Sequence, residues 1–289
     1  MQDAFGHCEA LVRAGDKDRF LAALFAPAER RAALFALYAF NLEVGRVREM
    51  VHEPLAGEVR LQWWRDVLTG ERAEEASGHP VASALVEVLR EYRLPVRSFD
   101  QLIEARRSDL DDQPMRSLDD LENYARHTSS TIIELAARIL DRTSTSADLA
   151  FAGPAGISFA ATGLLRTFPL HAARGQIFIP AEVLAHYGVG SHQILAGQAS
   201  DELGAALASM REHAARHFEA ARDRIAATKA ALVPAWLPVA LVPLHLRALE
   251  HSRREPFHAV DVPQWRRQLT MWRAARRGLP PLLAGKSNR

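Results

Sequence analysis

The sequence predicts an all-α protein. Apolar residues recur at helical spacing along most of the chain, and the alternation of apolar and polar residues that marks a half-buried strand is nearly absent. The connections between helical segments are short, and neither a low-complexity linker nor an internal repeat divides the chain. We therefore expect one all-α domain over residues 1–289, with residues 278–289 as a flexible tail.

Nine segments carry the helical pattern. They are residues 16–25, 28–51, 58–68, 81–92, 98–111, 118–140, 148–170, 201–227 and 263–277. Proline or glycine interrupts the pattern before or after most of them, for example at Glu53-Pro54 and Leu94-Pro95. Ser98, Ser117 and Ser200 are placed as N-caps, and Asp120 stands three residues after Ser117, as in a capping box.

The composition excludes several classes of protein. The formal net charge of +1 creates no overall field that would favour nucleic acid as a partner. A single cysteine, Cys8, excludes an internal disulfide framework and a cysteine-rich zinc site. Residues 1–15 lack the apolar run of a secretory signal, and three prolines interrupt the best membrane-span candidate, residues 233–246. We expect a cytoplasmic protein without a signal peptide or transmembrane helix, in which residues 233–246 form a kinked core helix.

The C-terminal helix has an unusual charge distribution. Residues 262–289 contain seven basic side chains and no acid, and Trp265, Leu269 and Trp272 recur at helical spacing. Such a helix can lie on an anionic membrane or an acidic partner. The alternative, which we favour, is a final helix that docks on the core and leaves its arginines in water. Residues 262–277 are therefore a candidate membrane surface.

Three motifs in the sequence resemble those of one known family. Ser158 to Pro180 contains Leu-Leu-Arg-x-x-x-x-x-Ala-x-Arg-Gly-x-Ile-Phe-Ile-Pro, Ala36 to Val44 reads Ala-Leu-Tyr-Ala-Phe-Asn-Leu-Glu-Val, and Arg60 to Arg65 reads Arg-Leu-Gln-Trp-Trp-Arg. Together they resemble the squalene/phytoene synthase family. The resemblance implies an isoprenoid-synthase-like helical bundle around a central cavity. It also implies two aspartate-rich motifs that hold magnesium against a prenyl diphosphate.

Most of the acids in those two motifs are replaced here. The first motif falls on Gly45, Arg46 and Glu49, and the second falls on Thr167, Leu170 and His171. Magnesium prefers oxygen ligands, and a guanidinium about 4 Å from a divalent ion would oppose it by roughly 8 kcal/mol at an effective dielectric near 20. We therefore expect no metal site and no cofactor. His171, as a lone histidine, is read as a packing residue.

Other polar residues are candidates for the remaining site. The candidate cavity or phosphate contacts are Tyr38, Asn41, Arg48, Arg166 and Arg174. The three arginines are included because guanidinium groups bind phosphate directly. The alternative for Arg46 and Arg48 is that they are solvated or pair with glutamates of their own helix. The acids at the end of one helix, Asp109, Asp111 and Asp112, are read as a solvated terminus rather than a metal site.

The residues of two further segments narrow the resemblance to one branch of this family. Leu121-Glu-Asn-Tyr-Ala-Arg-His-Thr-Ser-Ser130 and Arg166-Thr-Phe-Pro-Leu-His171 resemble the branch represented by a mitochondrial complex I assembly factor. This branch implies a non-catalytic role in assembly of respiratory NADH:quinone oxidoreductase. Its partners would be complex I subunits or assembly intermediates, at a peripheral position on the inner membrane. The alternative is a prenyltransferase or prenyl-lipid binder with a rearranged site, and only then would Mg²⁺ be required.

Overall fold

Every regular element among the residues that the structure describes is helical. The computed structural model describes residues 2–51, 53–111 and 114–282. The first eight α-helices are α1 Gln2–Gly15, α2 Lys17–Ala23, α3 Ala28–Gly45, α4 Val47–Met50, α5 Pro54–Thr69, α6 Ala73–Gly78, α7 Pro80–Tyr92 and α8 Val96–Arg107. The next are α9 Leu118–Ala125, α10 Thr131–Leu140, α11 Ala152–Ala173, α12 Ala181–His186, α13 Ser191–Leu195, α14 Asp201–Ile225, α15 Val233–Trp236, α16 Val242–His251 and α17 Gln264–Arg277. This confirms the all-α class.

Four non-α turns interrupt these helices. Three are 3₁₀ turns at Ser108–Leu110, Ala230–Leu232 and Leu237–Leu241. A π-helical turn, Arg126–Ser130, follows α9 and precedes α10, so the predicted helix 118–140 has a widened turn in its middle. The predicted helix 28–51 is also divided, because Arg46 leaves helical geometry between α3 and α4.

The helix ends test the predicted caps. The Ser117 hydroxyl accepts from the Asp120 N–H at 3.1 Å and the Asp120 carboxylate accepts from the Ser117 N–H at 3.0 Å, which confirms the capping box. The Ser200 hydroxyl accepts from the Leu203 N–H at 3.2 Å, as predicted. The Ser98 cap is wrong: α8 begins two residues earlier, after Pro95, whose ring cannot occupy a helix interior but is tolerated at a helix start.

Contacts divide the chain into two compact units, which are described one at a time. Unit 1 comprises Met1–Asp112, Arg126–Ala152 and Lys229–Ala235, and unit 2 comprises Gln113–Ala125, Gly153–Thr228 and Trp236–Arg289. The prediction of a single domain stays a prediction.

In unit 1 the central helix is α3, which packs against α1, α7 and α10. Phe40 on α3 is fully buried, and its ring centroid lies 5.0 Å from that of Trp64 and 5.4 Å from that of Phe99. Aromatic contacts of this kind add to the free energy of burial and set the orientation of α3. The helix that ends in the first motif is therefore held rigidly within its unit.

In unit 2 the long helix α14 packs against α12 and α16. The buried Ser158 hydroxyl of α11 donates to the Ala214 carbonyl of α14 at 2.8 Å. The terminal helix α17 packs on the 3₁₀ turn Leu237–Leu241 through its buried residues Met271 and Ala274. At the start of the predicted tail, the Leu282 N–H donates to Glu219 at 3.2 Å, and residues 283–289 lie outside the described part of the chain.

The helix predicted at residues 233–246 is longer in the structure, and it is divided into several helical pieces. Among the described residues, Ala230–His251 is one helical stretch that is long and apolar enough to cross a membrane, with 72% of its most apolar window buried. Prolines 234, 238 and 243 stand at or near the start of successive pieces, where a missing N–H is tolerated. The mostly buried environment is that of a core helix.

Candidate functional site

The first aspartate-motif positions lie where α3 gives way to α4. Arg46 stands between the two helices, and its Nη2 lies 3.5 Å from the Gly15 carbonyl at the end of α1. A helix C-terminus favours a cation because its last carbonyls carry partial negative charge. A Cβ atom on Gly15 would lie 2.8 Å from Arg46 Nη2, so a larger residue there would displace the guanidinium. The half-buried Arg46 side chain thus reaches the end of α1, a contact that neither interpretation of the sequence included.

A different guanidinium stands beside the motif. A Cβ atom at Gly45 would lie 3.5 Å from Arg106 Nη2, and Arg106 Nη1 pairs with Asp109 at 3.2 Å. Asp109 is only 9% exposed, so the expected solvated terminus is wrong for this residue, although Asp111 is exposed. Asp112 lies outside the described residues. The one acid of the motif, Glu49, is exposed on α4.

The second-motif positions lie near the end of α11 and hold no acid. The Thr167 hydroxyl donates to the Gly163 carbonyl at 2.9 Å and lies 3.4 Å from His171 Nδ1. The His171 ring stacks obliquely on Phe178, with centroids 4.5 Å apart, which is a packing contact. Leu170 is 46% exposed. The positions therefore present a hydroxyl, an alkyl group and an imidazole.

The Arg-Gly turn after α11 is as the sequence predicts. Gly175 has φ +78°, in the left-handed region that favours glycine. Its N–H donates to the Ala172 carbonyl at 3.1 Å, and the Gln176 N–H donates to the His171 carbonyl at 2.9 Å. These bonds close the helix end, and they place the exposed Arg174 on the turn.

Comparison with known proteins identifies the family. The squalene/phytoene synthase family model matches residues 12–273. The chain belongs to the squalene/phytoene synthase family. A crystal structure of a dehydrosqualene synthase superposes with a TM-score of 0.79 over 95% of this chain and 96% of that one, at 19% identity. This likeness confirms the isoprenoid-synthase type of fold.

The similar proteins within the family include both assembly factors and synthases. One is "NADH dehydrogenase (ubiquinone) complex I, assembly factor 6" of Bos taurus, 28% identical over 252 residues, which are 87% of this chain and 75% of the relative. Another is the 15-cis-phytoene synthase of Synechococcus elongatus, 25% identical over 287 residues, 92% of this chain and 91% of the relative. The chain is thus similar over most of its length to an assembly factor and to a synthase.

One predicted phosphate contact, Arg166, lines a small basic pocket of unit 2. Arg211, Arg253 and His258 line the same pocket, together with one acid, Glu255. Burial lowers the pKa of the Arg211 guanidinium, with Glu250 opposing this shift. The pocket has about 30 Å³ of room, which suits one or two waters and is far below the roughly 300–1,000 Å³ of a usual ligand pocket. Arginine clusters of this kind suit an anion rather than an apolar chain.

The other predicted contacts are distributed over unit 1 and the α11 turn. Tyr38 and Asn41 are buried on α3, at 2% and 7% exposure, and the half-buried Arg48 lies on α4. Burial raises the pKa of the Tyr38 phenol well above its usual range, and the nearby Arg19 partly offsets this. Their roles, like that of Arg174 on the turn, stay predictions.

Two clusters of titratable residues were missed from the sequence. In unit 1, Glu43 Oε2 lies 3.5 Å from His79 Nε2, and burial raises the pKa of Glu43 to about 7 while it lowers that of His79. In unit 2, Glu122 lies beside His213 and His217. The spacing of these two histidines, one helical turn apart, was the only signal of the second cluster in the sequence.

The terminal helix α17 presents an exposed apolar face. Trp265 is 61% exposed, Leu269 is 36% exposed and Trp272 is 45% exposed, although the opposite face of α17 is buried within unit 2. Arginines flank this face: the Arg276 guanidinium lies 4.2 Å from the Trp272 ring centroid, and that of Arg266 lies 5.3 Å from the Trp265 ring. The helix docks as expected, but its tryptophans remain in solvent.

Proposed function

We propose that this protein is a non-catalytic member of the squalene/phytoene synthase family that acts in the assembly of respiratory NADH:quinone oxidoreductase. The observation that carries the proposal is the donor set of the two motifs. Five of their six positions, all except Glu49, hold no carboxylate: Gly45, Arg46, Thr167, Leu170 and His171. The name and the 87% coverage of the assembly-factor relative support the assembly role.

The residues present do not fit a magnesium cluster. Mg²⁺ is held by carboxylate and water oxygens in octahedral geometry, and it would neutralise the diphosphate leaving group of a prenyl substrate. In unit 1 the guanidinium of Arg106 occupies the space beside Gly45, so a cation there would be repelled.

A second candidate function is metal-independent binding of a prenyl diphosphate or prenyl lipid. It is favoured by the three arginines at the unit 2 pocket, Arg166, Arg211 and Arg253, which suit a phosphate group. The full-length similarity to a phytoene synthase also favours it. The two candidates differ in whether a prenyl ligand is bound at all, and they agree that none is turned over.

Loss of the protein is expected to lower the amount of assembled complex I. In the organism that encodes it, deletion of the gene should remove most assembled complex I from native gels, with other respiratory complexes unchanged. A plasmid copy should restore it. The purified protein, shown to be folded, should release no diphosphate from farnesyl or geranylgeranyl diphosphate, with or without Mg²⁺. Normal complex I in the deletion strain would refute the assembly role, and magnesium-dependent release would refute the non-catalytic assignment.

We propose further that α17 places the protein on an anionic membrane surface. Trp265, Leu269 and Trp272 would enter the interface while Arg266, Arg273, Arg276 and Arg277 approach lipid phosphates. Changing both Trp265 and Trp272 to serine should weaken binding to phosphatidylglycerol vesicles by about tenfold or more. Binding of the parent protein should also fall with added salt.

The control for this prediction is a pair of exposed apolar residues on α5. Leu55 is 70% exposed and Val59 is 63% exposed on this helix of unit 1, so changing both to serine removes exposed apolar surface without altering α17. This control should bind vesicles like the parent protein. Equal loss in both double variants, or equal binding to neutral phosphatidylcholine, would contradict a specific role of α17.

A further inference from the structure

A cluster of three potential metal ligands joins α9 and α14 within unit 2. His213 and His217 stand one turn apart on the same face of α14, and Glu122 faces them from α9. Glu122 Oε1 lies 3.0 Å from His217 Nε2 and 3.6 Å from His213 Nε2. The three ligand atoms all lie within 4.8 Å of one another. None of the three residues belongs to the two motifs that hold magnesium in the family.

The burial of His213 is difficult to explain without a ligand. Its side chain is 5% exposed, and its Nε2 has no hydrogen-bond partner among the described residues, since the Glu122 oxygen at 3.6 Å is too distant. A buried polar atom left without a partner is destabilising, so native proteins rarely retain one. The unpartnered nitrogen faces the carboxylate that also contacts His217.

The two distances from Glu122 match those between the ligands of a small tetrahedral ion. Zinc bound by imidazole nitrogen and carboxylate oxygen at about 2.0–2.1 Å places neighbouring ligand atoms roughly 3.3 Å apart. The two measured separations from Glu122, 3.0 and 3.6 Å, bracket this value. Two imidazoles disfavour Mg²⁺ and Ca²⁺, which take oxygen ligands, and favour Zn²⁺. We propose that Glu122, His213 and His217 bind one Zn²⁺ ion, with water as the fourth ligand.

The competing explanation is a hydrogen-bonded cluster without metal. The 3.0 Å contact of His217 with Glu122 is a good hydrogen bond, and Arg216 Nη2 lies 3.5 Å from His213 Nδ1. If Nε2 of His213 binds zinc, Nδ1 carries the proton and cannot accept from Arg216. Arg216 is exposed and can turn away. Zinc binding therefore predicts that Arg216→Gln, which removes a nearby cation, tightens the site.

The test is zinc binding by the full chain after removal of metal with a chelator. Titration should find one Zn²⁺ per chain, and Co²⁺ in its place should give the visible absorption of tetrahedral cobalt. Glu122→Gln and His217→Gln should each weaken binding by about a hundredfold or more, and Arg216→Gln should strengthen it a few-fold. His192→Gln, an exposed histidine elsewhere in unit 2, is the matched control and should bind like the parent protein.

Thermal unfolding distinguishes a lost ligand from a lost fold. Zinc should raise the melting temperature of the parent protein and the His192 variant, but not of the Glu122 or His217 variants, whose circular dichroism should be unchanged. The proposal is overturned if the parent protein binds no zinc. It is equally overturned if the Glu122 and His217 variants bind zinc as the parent does, because the ion would then sit elsewhere.

Discussion

Replacing Phe40 by alanine is expected to lower the free energy of unfolding by about 3–5 kcal/mol. Phe40 is fully buried in unit 1 and contacts the rings of Trp64 and Phe99. Removing its ring leaves a cavity that two large neighbours cannot fill without leaving their own positions. The measurement is urea unfolding at neutral pH, with the slope against denaturant compared between variants.

The matched control for this prediction is Phe25→Ala. Phe25 is 43% exposed, so its loss should change the free energy of unfolding by only about 0.5 kcal/mol. A Phe40→Ala variant that loses less than about 1 kcal/mol would show that the three rings do not form the core of unit 1. Since α3 also carries Gly45 and Tyr38, a large loss of stability would mean that this aromatic contact stabilises the helix that leads into the first motif.

Replacing Glu43 by glutamine is expected to make the protein more stable above neutral pH. Burial raises the pKa of Glu43 to about 7 from its ordinary 4.5, and Arg60 partly offsets this. The folded state therefore holds a proton that the unfolded state releases. The stability from Glu43 is complete below about pH 4.5 and is lost as the pH rises through about 7.

The expected size of this effect is about 2 kcal/mol, after allowance for the partial exposure of the carboxyl. Urea unfolding at pH 5, 6, 7 and 8 should show the difference between Glu43→Gln and the parent protein growing over that range. His79 acts in the opposite direction, because its lowered pKa means that stability falls as the pH drops through its ordinary pKa of 6.5. The comparison therefore uses the difference between variants rather than either curve alone.

The control for the pH series is Glu29→Gln on the same helix. Glu29 is exposed near the start of α3, so its difference from the parent protein should be nearly constant with pH. A Glu43→Gln difference that is also constant would mean that Glu43 is not buried as a neutral acid. Among the described residues, Arg60 partly offsets the raised pKa of Glu43, and His79 Nε2 lies 3.5 Å from the Glu43 carboxylate.

The sequence predicted long helices well and missed short or polar ones. The proline breaks before α5 and α8 were predicted correctly, because a proline ring restricts the chain locally. Helix α1 was missed because its charged residues mask a narrow apolar side; Cys8 and Val12 are buried on it against α3 and α7. The helices α6, α12 and α13, of five or six residues each, were also missed, since such short helices depend on tertiary packing.

The fold class, the family and the replacement of the motif acids follow from the amino-acid sequence, because they depend on periodicity and on residue identity at fixed spacings. Which charged side chains meet depends on the tertiary structure. It brought Arg106 to Gly45, turned Arg46 toward the end of α1, and placed Glu122 against His217, 95 residues away along the chain. Helical spacing identifies neighbours within one helix, whereas contacts between helices depend on how their apolar faces pack.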